Sequence, residues 1–163
     1  MEIKEKSYIS LLRSNALFFG FTEDEIRKTL EILNAQLKTF KKDEFVYHEG
    51  ARNVKAAIVM EGSLHIIKED FWGNRSILAE IGKEDMFAET YSCIGGEPLS
   101  VSVEAREACS CLFLDLGRMT EEGSAVNVRL ASNLIKILAR KNLILTKKAK
   151  RREDFLAAFF VCR

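Results

Sequence analysis

The residue types that most often carry chemistry are sparse in this chain. There are two histidines, His48 and His65, and four cysteines, Cys93, Cys109, Cys111 and Cys162. No CxxC pair occurs, and no second cluster of metal ligands stands near any cysteine, so zinc and iron–sulfur centres lack the spacing they need. Two separated histidines cannot make the histidine and carboxylate set of a cupin-type metal enzyme. Neither a Ser-His-Asp or Cys-His arrangement nor a phosphate-cradling glycine loop is present. The sequence therefore predicts no enzyme. Haem is an alternative cofactor, with His48, His65, Met86, Cys93 and Met119 as candidate ligands, although a histidine between Leu64 and Ile66 more often sits at a strand rim or in a core. The cysteines read as free, mostly buried thiols in a reducing cytosol.

Charge narrows the partners. Lysine and arginine number 25 against 24 acidic residues, a formal net charge of +1, so a global nucleic-acid signature is absent. One local basic run, KKAKRR at residues 147–152, reads first as a solvated helix end. The N-terminus has no apolar signal region, and no apolar run reaches the roughly 18 residues of a membrane span. A cytoplasmic protein with no membrane partner is the expectation.

These few reactive residues must be placed by the surrounding elements. Residues 7–16 and 23–33 carry apolar side chains at helical spacing, and Thr22 with Glu25 forms a capping box for the second helix. From residue 37 the pattern becomes one of short strands separated by turns. The runs 55–60 (KAAIVM) and 63–68 (SLHIIK) flank Glu61–Gly62 as a hairpin, and 75–81, 100–105 and 109–114 follow. In the last run Cys109, Cys111 and Phe113 alternate with Leu112 and Leu114, so the two sets face opposite ways. Gly62 and Gly82 are both expected to take positive φ in their turns. Residues 86–93 interrupt the strands with a short helical or irregular segment.

From residue 120 the period becomes helical. Val126, Leu130, Ala131, Leu134, Ile135, Ile137, Leu138, Ile144 and Leu145 cover one broad side of a helix expected over 120–148. One flank of so wide a face can pack on the strands. The other flank suits a second copy, and Val128, Ala131, Leu134, Ile135, Leu138, Asn142 and Leu145 are the candidate dimerisation residues.

Two N-terminal helices, a glycine-punctuated roll and a long final helix together resemble the effector-sensing domain of the Crp/Fnr transcription regulators. The residues that carry the resemblance are Gly50 in HEG, VMEGSLHIIK at 59–68, IGKEDMFAET at 81–90 and RLASNLIKILARKNLIL at 129–145. The resemblance implies a mainly β fold with flanking helices, a double-stranded β-helix or jelly-roll-like β-roll, plus a long C-terminal dimerisation helix. It divides the chain into a roll with its N-terminal helices at 1–119, a dimerisation helix at 120–149, and a remnant or start of a winged helix-turn-helix domain at 150–163. DNA would be read only through a domain absent from this chain.

The resemblance also implies a place for the effector. In nucleotide-binding members a phosphate-binding cassette opens with Gly-Glu, whose glutamate takes the ribose hydroxyl. It closes with Arg-Ser or Arg-Thr, whose arginine neutralises the cyclic phosphate. Here the opening pair is Ala88–Glu89 and the closing pair is Leu99–Ser100. A leucine cannot supply a charge-assisted contact to a desolvated anion, so cAMP is disfavoured and the effector is left unidentified. The candidate effector residues are Phe87, Ala88, Glu89, Thr90, Tyr91, Leu99, Ser100 and Val101, with Lys141 and Asn142 from the long helix. Two readings stand for that last pair: contacts to an effector, or a solvated Lys141 beside an Asn142 that fixes the register of paired helices. The alternative functions are a ligand-free interaction module that pairs with full-length relatives, or a haem-based gas sensor.

Overall fold

The computed structural model describes residues 2–119 and 128–149. The expected helix start at 120–127, including Val126, and the segment 150–163, with Cys162 and the second half of the basic run, lie outside the described residues, as does the side chain of Leu145.

The chain opens with α1 (Glu2–Ser14), a 3₁₀ turn (Ala16–Phe18) and α2 (Glu23–Ile32). The capping box forms as its sequence predicts. The Glu25 amide donates to Thr22 Oγ1 at 3.3 Å, and the Thr22 amide donates to Glu25 Oε2 at 2.8 Å. Two otherwise orphaned donors are thereby satisfied.

Eight antiparallel strands follow: β1 (Gln36–Phe40), β2 (Phe45–Tyr47), β3 (Ala56–Glu61), β4 (Leu64–Glu69), β5 (Arg75–Ile81), β6 (Met86–Phe87), β7 (Ser102–Ala105) and β8 (Cys109–Leu114). They form two four-stranded sheets, ordered β1-β8-β3-β6 and β2-β7-β4-β5. A short helix, α3 (Glu89–Ile94), stands between β6 and β7, and the long helix α4 (Val128–Ala149) closes the described chain. This is the mainly β, jelly-roll-like architecture with flanking helices.

Two cores share the first sheet. Ile58 and Met60 of β3, with Leu112 and Leu114 of β8, pack beneath α1, α2 and α4. Ala57 and Val59, with Cys109, Cys111 and Phe113, face the second sheet and meet Leu64, Ile66, Val101 and Val103. The alternation of β8 is therefore as expected. β3 is buried on both faces, which is why it reads as an unbroken apolar run rather than an alternating one. The hairpin tip between β4 and β5 is solvent-facing, with Phe71 and Trp72 packed edge-on to each other at 6.1 Å.

One turn departs from expectation. Gly62 does take positive φ, at 77°, but Gly82 does not, and Glu84 is left-handed instead at 73°. The turn at residues 82–85 is closed by the Asp85 amide on Gly82 O (3.1 Å) and by the Gly82 amide on Asp85 Oδ2 (2.9 Å), so its third position carries the positive φ. The Glu84 amide donates to Val59 O at 2.8 Å, which holds that conformation. The two glycines should therefore behave differently. A Cβ on Gly62 would lie 2.6 Å from Ala108 O and 2.7 Å from Cys109 Cβ, whereas on Gly82 the nearest atom is Asp85 Oδ2 at 3.7 Å. In urea unfolding, Gly62→Ala is expected to lose about 2–4 kcal/mol from the left-handed strain and the overlap. Gly82→Ala should stay within about 0.5 kcal/mol of wild type.

Candidate functional site

The site lies where α3 meets α4. Ala88 precedes α3 in the left-handed region, at φ 58° and ψ 14°, a conformation that costs an alanine more than a glycine. That bend turns Glu89, the first residue of α3, into the interior, where it is fully buried. Its Oε1 is ion-paired with the ammonium of Lys141 from α4. Lys141 is only 3% exposed, and its Nζ also donates to Met86 O at 3.3 Å. Glu89 Oε2 accepts no hydrogen bond from another residue among those described. Burial pushes the Glu89 carboxyl above its ordinary value of 4.5, and the Lys141 ammonium pulls it back only in part.

The cassette's closing end is held differently. The Leu99 amide donates to Ala51 O at 2.9 Å, and the Gly50 amide donates to Leu99 O at 2.8 Å, which ties this stretch to the β2–β3 loop. The Leu99 side chain is buried in the inter-sheet core. Ser100 Oγ lies 3.2 Å from the Tyr91 hydroxyl, and Ser100 O accepts from Lys68 Nζ at 2.8 Å. Phe87, Ala88 and Val101 share the core with Leu99, while Thr90 is half-buried. Cys93 follows on α3. Burial, helped by the Glu89 charge, pushes its thiol up to about 11, so at neutral pH it is protonated and a weak nucleophile.

α4 presents two stripes. Leu130, Asn133, Leu134, Ile137 and Lys141 are buried against the chain's own roll and N-terminal elements. Asn133 anchors this face by donating to Leu17 O (3.0 Å) and Phe19 O (2.9 Å), and Arg129 donates to Gly20 O at 2.6 Å. The second stripe, roughly 120° around the helix at 100° per residue, holds Val128, Ala131, Ile135, Leu138 and Asn142. Val128 is 84% exposed and Ile135 66%. Leu134, expected on the outward stripe, instead packs into its own core. Asn142 is exposed and its carbonyl accepts from Thr146 Oγ1 at 3.0 Å.

A family profile described as "Cyclic nucleotide-binding domain" matches residues 37–122, a little over half of the chain. The chain belongs to the cyclic nucleotide-binding domain family. Its fold is shared by several solved structures. The catabolite activator protein of Thermus thermophilus superposes with a TM-score of 0.67 at 20% identity, over 83% of this chain and 62% of its own. This chain thus spans under two thirds of that protein. The N-terminal domain of a transcriptional regulator from Streptomyces coelicolor gives 0.67 at 22% identity, over 86% and 94%. The sensor domain of the regulator DNR from Pseudomonas aeruginosa gives 0.67 at 18%, over 93% and 94%. A comparison with characterised protein sequences returned no significant match.

Within this cyclic nucleotide-binding domain, then, the structure joins Glu89 to Lys141 and Tyr91 to Ser100, and leaves Asn142 in solvent. A solvated Lys141 is not what it shows. The residues that sequence reasoning missed are Asn133 and Lys68. Asn133 breaks an apolar helix face, and that interruption is its available signal; Lys68 lies near the end of an ordinary strand and gives none. Among the described residues no group of three or more metal-ligating side chains gathers, and no helix is long and apolar enough to cross a membrane.

The buried pair has a measurable consequence. Removing one partner leaves the other charge buried, so Lys141→Met is expected to cost about 3–5 kcal/mol in urea unfolding, with Glu89→Gln/Lys141→Met costing less than the two single changes combined. The sign of the pH effect follows from the raised Glu89 value. The folded state binds that proton more tightly than the unfolded chain, so the contribution is complete below 4.5 and is lost as pH rises through the folded value. Stability against pH should show that declining limb in wild type and lose it in Glu89→Gln.

Proposed function

We propose that this chain is the effector-sensing and dimerising domain of a Crp/Fnr-type bacterial transcription regulator, cytoplasmic and not an enzyme, with a pocket unsuited to cAMP. The observation that carries the reading is the Glu89–Lys141 pair. The carboxylate that the family pattern assigns to a ribose hydroxyl is already engaged by a cation on the long helix. The position assigned to the phosphate arginine is a leucine whose side chain is spent in the core. An arriving cyclic phosphate would add a negative charge to a buried pair that is already balanced, with no spare cation from the cassette.

The effector in this reading enters between roll and α4 and competes for Glu89, with Tyr91 and Ser100 as its polar neighbours. Binding would free Lys141 and let α4 shift on the roll. The exposed Val128 and Ile135 support pairing of two α4 helices as the element that receives this shift, and a DNA-reading domain carried by α4 would deliver the output.

Two measurements test this. Calorimetric titration should detect no micromolar cAMP binding to wild type; micromolar binding would overturn the argument from Leu99. Native mass spectrometry should report a dimer that Ile135→Lys weakens by at least about tenfold, as loss of a central apolar anchor does. A wild-type monomer at micromolar concentration would end the dimer reading. A dimer that gives no thermal shift with any small molecule would favour the ligand-free interaction module instead.

A further inference from the structure

A cavity of ≈ 320 Å³ opens between the edge strand β1 and the β2–β3 loop, and none of the cassette residues Glu89, Leu99 or Ser100 lines it. Its floor is aromatic. Phe113 is centred between Phe40, at 6.2 Å between ring centroids, and Tyr47, at 5.9 Å. Its rim is basic. Lys38, Arg52 and Lys55 line the opening, no carboxylate does, and none of the three forms an ion pair among the described residues. Lys38 Nζ stands 5.2 Å above the centre of the Phe113 ring, so an exposed cation is poised at the edge of the apolar floor.

We propose that this cleft binds a small aromatic carboxylate, with the ring against Phe40, Tyr47 and Phe113 and the carboxylate at Lys38, Arg52 and Lys55. Three cations with no ion-pair partner among the described residues set a local positive potential that selects an anion. The aromatic floor rewards a flat apolar body, which inorganic anions lack. The volume stands at the low end for ligand pockets and suits one ring. The wall is rigid. The Tyr47 hydroxyl donates to Lys55 O at 2.9 Å and accepts from the Lys55 amide at 3.0 Å. Burial pushes that phenol up to about 12, so it adds no negative charge to oppose the ligand.

The cleft is also wired to the cassette. Arg52 Nη1 donates to Gly96 O at 2.6 Å, beside the two backbone bonds between Gly50–Ala51 and Leu99. A carboxylate that draws the Arg52 guanidinium would loosen that attachment, which gives the cleft a route to the cassette loop.

The test uses the full chain with sodium benzoate as probe, followed by ligand-observed NMR titration. Benzoate should bind saturably, with benzamide and inorganic phosphate each at least about tenfold weaker, because each lacks one of the two recognised features. Lys38→Gln/Lys55→Gln should weaken benzoate about tenfold while leaving the melting temperature unchanged, since both side chains are partly or fully in solvent. Glu89→Gln should leave benzoate affinity within about twofold, as expected for separate sites. The proposal is overturned by no benzoate binding, by benzamide or phosphate binding equally well, or by an unaffected lysine double variant. Loss of binding in a folded Glu89→Gln would assign benzoate to the cassette and overturn it too.

Discussion

A single buried charge pair governs how this molecule is put together. Glu89 and Lys141 are far apart in sequence, and neither tolerates the interior without the other. Their union joins the short helix in the roll to the long helix beside it. Apolar contact is permissive about register, while a desolvated ion pair is not. The axial position of α4 on the roll is therefore set by one ammonium, steadied by Met86 O, and by the Asn133 amide at the other end of the contact.

Around that constraint the remaining elements divide the work. Leu130, Leu134 and Ile137 supply the area that holds α4 down, and the polar groups on the same face decide where it sits. On the outward stripe Leu138 still leans on the same core, while Val128 and Ile135 stand exposed. The cassette's other end is fixed by backbone hydrogen bonds to the β2–β3 loop. Leu99 thus serves as a core residue on a strand-like connection, at a position where nucleotide-binding members of the resembled family would place a cation.

Much of the fold was legible in the sequence because its signals are local. The Thr22–Glu25 box, the alternation of β8 and the Glu61–Gly62 turn are each decided within a few residues. The site was less legible because its pairing is not local. Glu89 and Lys141 could both be named from their positions, but a lysine on a helix carries no sign that it will be buried until the partner's location is known. Leu134 shows the same limit: helical period gives the width of an apolar face, not where that face divides between the roll and the outside. The turn at 82–85 failed for a different reason. Glycine was taken as the residue needing positive φ, whereas the hydrogen bonds of Asp85 and Val59 impose it on Glu84.

The strand β3 has one further consequence. Its residues alternate between two cores, with Ala56, Ile58 and Met60 facing the helices and Ala57 and Val59 facing the second sheet. It is a partition wall buried on both sides. The neighbouring alanines 56 and 57 let helices and sheet approach it from both directions at once. Bulk added on one side must be recovered on the other or in the layer beyond, so viable sequences of this domain should vary in a correlated way across the wall, and drift at these five positions should be concerted.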